Sequence, residues 1–287
     1  MIDLTKGFFF SYNYPLSYSA QHNILSCVSH TASSAPQSMF VWNAHLLEEM
    51  QQCLSTEWYV ILIHGVFLQQ RCIQQDRQFQ LTLIARRSRL CHFIHFICRM
   101  YAGPRYLKRG INDDGYVANE VEVETMIEDE YGHVASHLQV RGSIPGYWKQ
   151  DVSVAVPRPP IQIIRNDPLY RTFITHISLL LDRYSAPIQV LDLVKMKEKS
   201  PRESLVAELL RESCSFVNSS IPSGLKITYW HVDFADVAKH SSVDNPLLHD
   251  ILLRYGRISV EYVFCCLSIV DRLDSSLPLC HRMPVAE

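Results

Sequence analysis

Charged side chains crowd the stretch from Tyr101 to Glu124, YAGPRYLKRGINDDGYVANEVEVE. Arg105, Lys108 and Arg109 fall in its first half, with Tyr106 and Leu107 between them. Asn112-Asp113-Asp114-Gly115 follows, and Asp-Gly is a strong signal for chain reversal. Glu120, Glu122 and Glu124 then alternate with Val121 and Val123, a period of two that sets three carboxylates on one side of a strand. A cationic ribbon folded against an anionic one forms a hairpin paired by charge. On spacing alone it reads as an exposed, salt-bridged hairpin, because surface charge runs mostly mean solvation.

Two other groups have side chains capable of chemistry. Cys91, His92, His95 and Cys98 sit in the apolar run LCHFIHFICRM, but their spacing fits no zinc pattern and no metal is expected. His231 and Asp233, in HVDF, stand where a strand ends. They can pair as acid and base, or the histidine can be structural.

These residues need elements to hold them. Phe8 to Tyr14 is aromatic and β-prone. The segment from Ser26 to Ser38 is rich in Ser, Ala and Pro and reads as a loop. HLLEEMQQCL is a helix. Trp58 to Gly65 is a continuous apolar run ended by glycine, the pattern of a buried strand. Gln78 to Arg86 is a second strand, carrying Arg86 and Arg87 to its end, a common place for site residues in sheets covered by helices. Prolines 157, 159 and 160 make a stiff connector. Asp167-Pro168 reads as a helix N-cap and first turn, followed by Leu169, Phe173, Ile177, Leu180 and Tyr184 at helical spacing. Ile188 to Val194 is a strand. Ser200 to Glu203 is a capping box opening a helix striped by Leu205, Val206, Leu209, Leu210 and Val217. Leu225 to Val232 is a strand and Pro246 to Arg254 a helical stretch. Alternating helix and strand implies crossovers and parallel pairing, so the fold class is α/β.

Composition sets outer limits. The chain has 287 residues, 27 basic and 29 acidic side chains and a formal charge of −2, so no global field draws it to nucleic acid. Nine cysteines without CxxC pairing favour a reducing, cytoplasmic compartment over a disulfide framework. The N-terminus lacks a signal-peptide pattern, and Tyr262 to Val270 is too short to cross a bilayer.

The motifs also carry a resemblance. Arg86-Arg87-Ser88, then Ala102-Gly103-Pro104-Arg105-Tyr106, Arg109-Gly110, Asn119-Glu120-Val121-Glu122 and Arg141-Gly142-Ser143-Ile144-Pro145-Gly146-Tyr147-Trp148 are matched in order to the Sac-domain family of phosphoinositide phosphatases. The resemblance covers roughly Phe8 to Leu252. Within the family, VRGSIPGYWKQDVSVAVPRPPI with Asp167-Pro168 is most similar to the endolysosomal branch that removes the 5-phosphate of phosphatidylinositol 3,5-bisphosphate. Pro104, Val123 and Thr125 depart from the pattern.

The resemblance implies three segments. Residues 1–55 are the tail of the non-catalytic, β-rich N-terminal subdomain, most of which would precede Met1. Residues 56–252 are the first part of the α/β phosphatase domain, interrupted at 90–100 by an insertion of the kind an unspliced intron leaves. Residues 253–287 are a tail outside the family pattern.

It further implies hydrolysis of a phosphomonoester on the inositol ring without a cofactor. Arg105, Lys108, Arg109, Asn119, Arg141, Gly142 and Ser143 would surround the substrate, and Glu120 and Glu122 would steady arginines rather than touch phosphate. The family cleaves with a thiolate on a loop of cysteine, five residues and arginine. The one formal match is Cys266 to Arg272, where Ser268 and Leu273 depart from the pattern, so the chain is expected to hold substrate without cleaving it. The expected setting is cytoplasmic and peripheral on endosomal, lysosomal or vacuolar membranes. The expected partners there are phosphoinositide headgroups, with a phosphoinositide kinase and a helical-repeat scaffold. The rival expectation is a non-catalytic interaction protein in that complex.

Overall fold

The computed structural model describes residues 7–12, 14–23, 39–74, 77–88, 109–150, 160–195, 203–233 and 281–282. The loop expected at 26–38, the insertion at 90–100, the prolines at 157 and 159, the capping residues 200–202, the helical stretch at 246–254 and the Cys266 loop lie outside them. The chain divides into two units. One comprises Met1–Arg89, Glu120–Arg141 and Arg254–Glu287, the other Leu90–Asn119 and Gly142–Leu253. The boundary expected at 55/56 falls inside the first unit.

The first unit is built on an antiparallel sheet of β1 (Phe8–Phe10), β2 (Ile63–Gln74), β3 (Arg77–Arg87), β4 (Val121–Asp129), β5 (Val134–Arg141) and β10 (His281–Arg282), in the order β10-β1-β2-β3-β4-β5. Alternation decides its faces. Ile84 and Met126 point into a core with Phe9, Leu16, Ala20 and Ile63, so residues 14–20 pack against that face. Helix α1 (Ala44–Cys53) precedes β2, and the Asn43 side chain pins the approach by donating to Val60 O and accepting from Leu62 N, both at 2.9 Å.

Two sequence expectations change here. The strand expected at Trp58–Gly65 begins only at Ile63 and runs through Gly65 to Gln74, while Trp58 closes a short 3-10 turn and is exposed. Gly65 is no terminator. A Cβ there would lie 1.7 Å from Ala85 O, so glycine is what lets β2 and β3 approach. The acidic strand is not half of an exposed hairpin with Arg105–Arg109 either. Its partners are β3 and β5, with Arg86 opposite Glu122 and Val140 beyond it. Glu122 and Glu124 are buried, at 1% and 0% exposure.

The second unit has helices α2 (Arg171–Tyr184) and α3 (Glu203–Ser220), the antiparallel pair β6 (Trp148–Gln150) and β7 (Ile161–Ile163), and the pair β8 (Gln189–Asp192) and β9 (Thr228–His231). β8 and β9 are parallel with α3 as their crossover, as the alternation implies. Phe173, Ile177, Leu210, Cys214, Val217 and Ile227 form its core. Asp167 is not the N-cap of α2. The helix starts at Arg171 after Tyr170 in a left-handed turn, and Asp167 Oδ2 accepts from Thr172 N at 3.1 Å. Leu169 is exposed, while His176 joins the buried face. The chain is thus mixed α/β.

Candidate functional site

The matched motifs fall into two clusters, one in each unit. In the first unit they converge on Arg86, which is wholly withdrawn from solvent. Nη1 donates to Glu122 Oε1 at 2.6 Å and Nη2 to Glu124 Oε2 at 2.7 Å. Nη2 also donates to Tyr18 O at 2.8 Å, and Nε to Leu16 O at 2.5 Å. Glu124 Oε1 takes hydrogen bonds from Ala20 N and Ser136 Oγ, each at 2.8 Å. Burial alone pushes the guanidinium pKa down, but Glu124 and Glu122 outweigh it and the net shift is upward. A buried cation with its carboxylates and carbonyls all in hand offers nothing to a ligand. Arg86 is therefore a structural node and not the site residue its strand-end position suggested.

In the second unit, residues 109–118 and 142–148 form a clasp. Gly110 has φ +78°, and a Cβ on it would meet Gly146 O at 2.3 Å, so only glycine fits this crossing. Ile111 N donates to Gly146 O at 3.0 Å, Ser143 N to Ala118 O at 2.8 Å and Ala118 N to Gly110 O at 2.9 Å. Trp148 is buried, with Nε1 donating to Ile144 O at 2.9 Å, and Arg109 lies 5.8 Å from its ring centroid. Arg109 Nε and Ser143 Oγ are buried without a hydrogen-bond partner among the described residues. Two donors, one from each side of the clasp, thus lack an acceptor.

The outer rim is closed by charge. The Asn112–Gly115 turn forms as its sequence suggests, with Gly115 N donating to Asn112 O at 3.2 Å. Asp113 Oδ1 accepts from Tyr147 Oη at 2.5 Å and from Arg165 Nη2 at 2.6 Å, and the Arg165 guanidinium lies 3.7 Å over the Tyr147 ring. The Tyr147 hydroxyl, and then Arg165, hold the Asp113 carboxyl below its ordinary range. On the inner side His176 Nδ1 donates to Gly115 O at 2.8 Å. Arg165 belonged to no motif or periodic pattern, so nothing in the sequence marked it.

Of the expected site residues, Arg109, Gly110, Asn119, Gly142 and Ser143 belong to the second unit, and Glu120, Glu122 and Arg141 to the first. Asn119 adopts φ +58°, a conformation asparagine tolerates. Gly142 is exposed and backs on Val117, whose Cγ2 would be 2.7 Å from a Cβ. Arg141 is exposed at the end of β5, and Glu120 is buried. Glu122 is spent on Arg86. Arg105, Lys108, Cys266 and Arg272 lie outside the described residues. His231 Nε2 donates to Val194 O at 2.9 Å, a structural use of that histidine. Among the described residues no group of three His, Cys, Asp or Glu could hold a metal ion.

An α/β chain whose matched motifs knit a buried arginine node and a glycine-crossed clasp has counterparts of known family. The family described as SacI homology domain matches residues 1–239, and the chain belongs to it. Similar proteins include the phosphatidylinositol-3-phosphatase of Arabidopsis thaliana, 40% identical over 249 residues covering 85% of this chain and 26% of that protein. A phosphoinositide phosphatase of the same plant is 38% identical over 239 residues, 81% of this chain and 28% of that protein. A polyphosphoinositide phosphatase of Schizosaccharomyces pombe is 36% identical over 253 residues, 83% of this chain and 29% of that protein. The chain spans between a quarter and a third of the length of these relatives.

Proposed function

We propose that the protein acts on phosphoinositides as a Sac phosphatase, and that these 287 residues hold the phosphorylated headgroup through the clasp of the second unit. The observation that carries this is the pair of buried donors, Arg109 Nε and Ser143 Oγ, without acceptors among the described residues. Phosphate oxygens accept from both kinds of donor, and a guanidinium fork binds them strongly. Asn119 and Gly142 of the same unit are assigned to this surround, as are Arg105 and Lys108 by the family resemblance. The substrate proposed is phosphatidylinositol 3,5-bisphosphate, at its 5-phosphate. No helix among the described residues is long and apolar enough to cross a membrane. The setting proposed is the surface of endosomal, lysosomal or vacuolar membranes.

Cleavage is assigned to the family's cysteine loop. Its one formal match here, Cys266 to Arg272, keeps Asp271 and Arg272 but departs from the loop pattern at Ser268 and Leu273, so this chain is read as binding without turnover. Vesicle sedimentation and phosphate release on phosphatidylinositol 3,5-bisphosphate test both statements. Arg109→Ala and Ser143→Ala weaken binding by about 1–3 kcal/mol, the scale of a charge-assisted hydrogen bond, while Lys195→Ala does not. Equal losses at Lys195 and Arg109 would remove the site. Turnover that vanishes in Cys266→Ser but survives in Cys53→Ser would show an active loop.

A second reading, an interaction role beside a phosphoinositide kinase and a helical-repeat scaffold, draws on one feature of the first unit. Leu46, Met50, Leu54 and Trp58 recur every fourth residue along α1 and the following turn, and all are exposed. Loss of scaffold capture in Leu46→Glu and Trp58→Glu, with vesicle binding intact, would favour it.

A further inference from the structure

The face of the first unit's sheet opposite Arg86 carries a second use of the same motifs. Arg87 is opposite Val121 on β4, and Val121 is opposite Arg141 on β5. Residues opposite one another share a face, so Arg87 and Arg141 flank Val121 on the side away from the Arg86 node. The two backbones are separated by two strand spacings, about 9–10 Å. Both arginines are exposed. Val121 between them is only 8% exposed. Two long cationic side chains therefore flank one apolar residue at the sheet's end, close enough for both guanidinium forks to reach a single tetrahedral anion.

We propose that Arg87 and Arg141 act as a bridging pair that grips one phosphate group across Val121. The inference rests on the headgroup reading above for the source of the phosphate, and goes beyond it by adding Arg87 and by placing Arg141 with it rather than with the clasp. The ligand chemistry is a phosphomonoester, carried either by a lipid headgroup or by a soluble inositol phosphate. Arginine is suited to the position because each fork presents paired N–H donors to the oxygens, which a lysine ammonium does not.

The test uses the full chain with Arg87→Ala, Arg141→Ala, the double variant, and Arg87→Lys with Arg141→Lys. The probes are phosphatidylcholine vesicles carrying phosphatidylinositol 3,5-bisphosphate, vesicles carrying phosphatidylserine at matched charge, and soluble inositol hexakisphosphate. Each alanine variant is expected to weaken binding roughly tenfold, about one charge-assisted bond. The double variant is expected to lose little more than either single one, because one arginine cannot bridge alone. The lysine variants lose nearly as much, although the charge is kept. Weakening toward both phosphate probes assigns the site to phosphate itself, and weakening toward the vesicles alone assigns it to the lipid headgroup.

Singles that change binding less than twofold, losses that multiply in the double variant, or full rescue by lysine would overturn the pair. So would equal weakening on phosphatidylserine, which reports surface charge only. If Arg109→Ala and Ser143→Ala leave binding intact while these variants lower it, the clasp reading fails and the pair stands. A chain that binds none of the probes removes both.

Discussion

Arg86 and Glu122 face each other on adjacent strands with Nη1 and Oε1 2.6 Å apart, and both side chains are removed from water. Glu124, two residues along the same face, takes the other end of the guanidinium at 2.7 Å. The cluster carries one positive and two negative charges inside the core. Its excess negative charge is met by the Ala20 amide and the Ser136 hydroxyl on Glu124. Such a cluster gains little over an apolar core of the same shape, but removing one member strands the rest.

Arg86→Ala should therefore destabilise the chain by about 3–5 kcal/mol, since it leaves two buried carboxylates without their cation. That is a large share of a typical domain's ~5–15 kcal/mol. Arg86→Lys should fall well short of restoring it, because an ammonium cannot serve the Leu16 and Tyr18 carbonyls and both carboxylates at once. Urea unfolding of each variant measures this, and a cost under about 1 kcal/mol for Arg86→Ala would show that the node is dispensable.

The acidic strand shows what spacing conveys and what it leaves out. Alternation sorts Glu120, Glu122 and Glu124 to one side of β4, but it does not say which side the rest of the chain covers. That depends on Arg86, far upstream, pairing in a register fixed by the β3–β4 ladder. The second unit was easier to read. The stripes of Phe173 with Ile177 and of Val206, Leu210 and Val217 are local signals, and the parallel β8–β9 pair follows from the helix between them. Motif resemblance picked out Arg109, Gly110, Gly142 and Ser143, yet the crossing of Gly110 over Gly146 is a long-range contact that no local pattern encodes. The relation of Arg87 to Arg141 exists only through the register of three strands.

Gly110→Ala tests the clasp from its backbone. The substitution forces a side chain into a positive-φ position and against Gly146 O, so the second unit should lose about 1–3 kcal/mol. Headgroup binding should fall with it. Gly224→Ala is the matched control, since nothing lies within 4 Å of a Cβ there. Thermal unfolding of the two variants should separate clearly, and coincident curves would mean that the crossing is not held as described.

Thiol chemistry offers a probe of each unit. Cys53 is exposed at the end of α1, whereas Cys214 is buried on α3 with its thiol pushed up to about 12, first by burial and then by the nearby Asp192 charge. Near pH 8 its thiolate fraction is on the order of one part in ten thousand, and the sulfur is also shielded. Iodoacetamide should label Cys53 in the native chain and reach Cys214 only after denaturant is added. Peptide mass spectrometry reads both, and native labelling of Cys214 at the rate of Cys53 would show that the second unit's core is open.

The Asp113 contacts give the clasp a pH dependence of defined sign. The Tyr147 hydroxyl and the Arg165 guanidinium depress the folded-state pKa of Asp113 below the ordinary 3.8. A depressed carboxyl contributes stability that is fully present above its unfolded pKa and is lost as pH falls through the folded one. The contribution should hold from neutral pH down to about 4 and decline below that. Because Asp113 and Arg165 are both exposed, salt should weaken it as well. Hydrogen-exchange protection of the Asn112–Tyr116 amides, corrected for intrinsic rate, is the readout. The wild-type chain should be better protected than Asp113→Asn at neutral pH, and the two should converge once the carboxyl is protonated. A difference that persists unchanged into strong acid, or one absent at neutral pH, would show that the rim is not held by this charge.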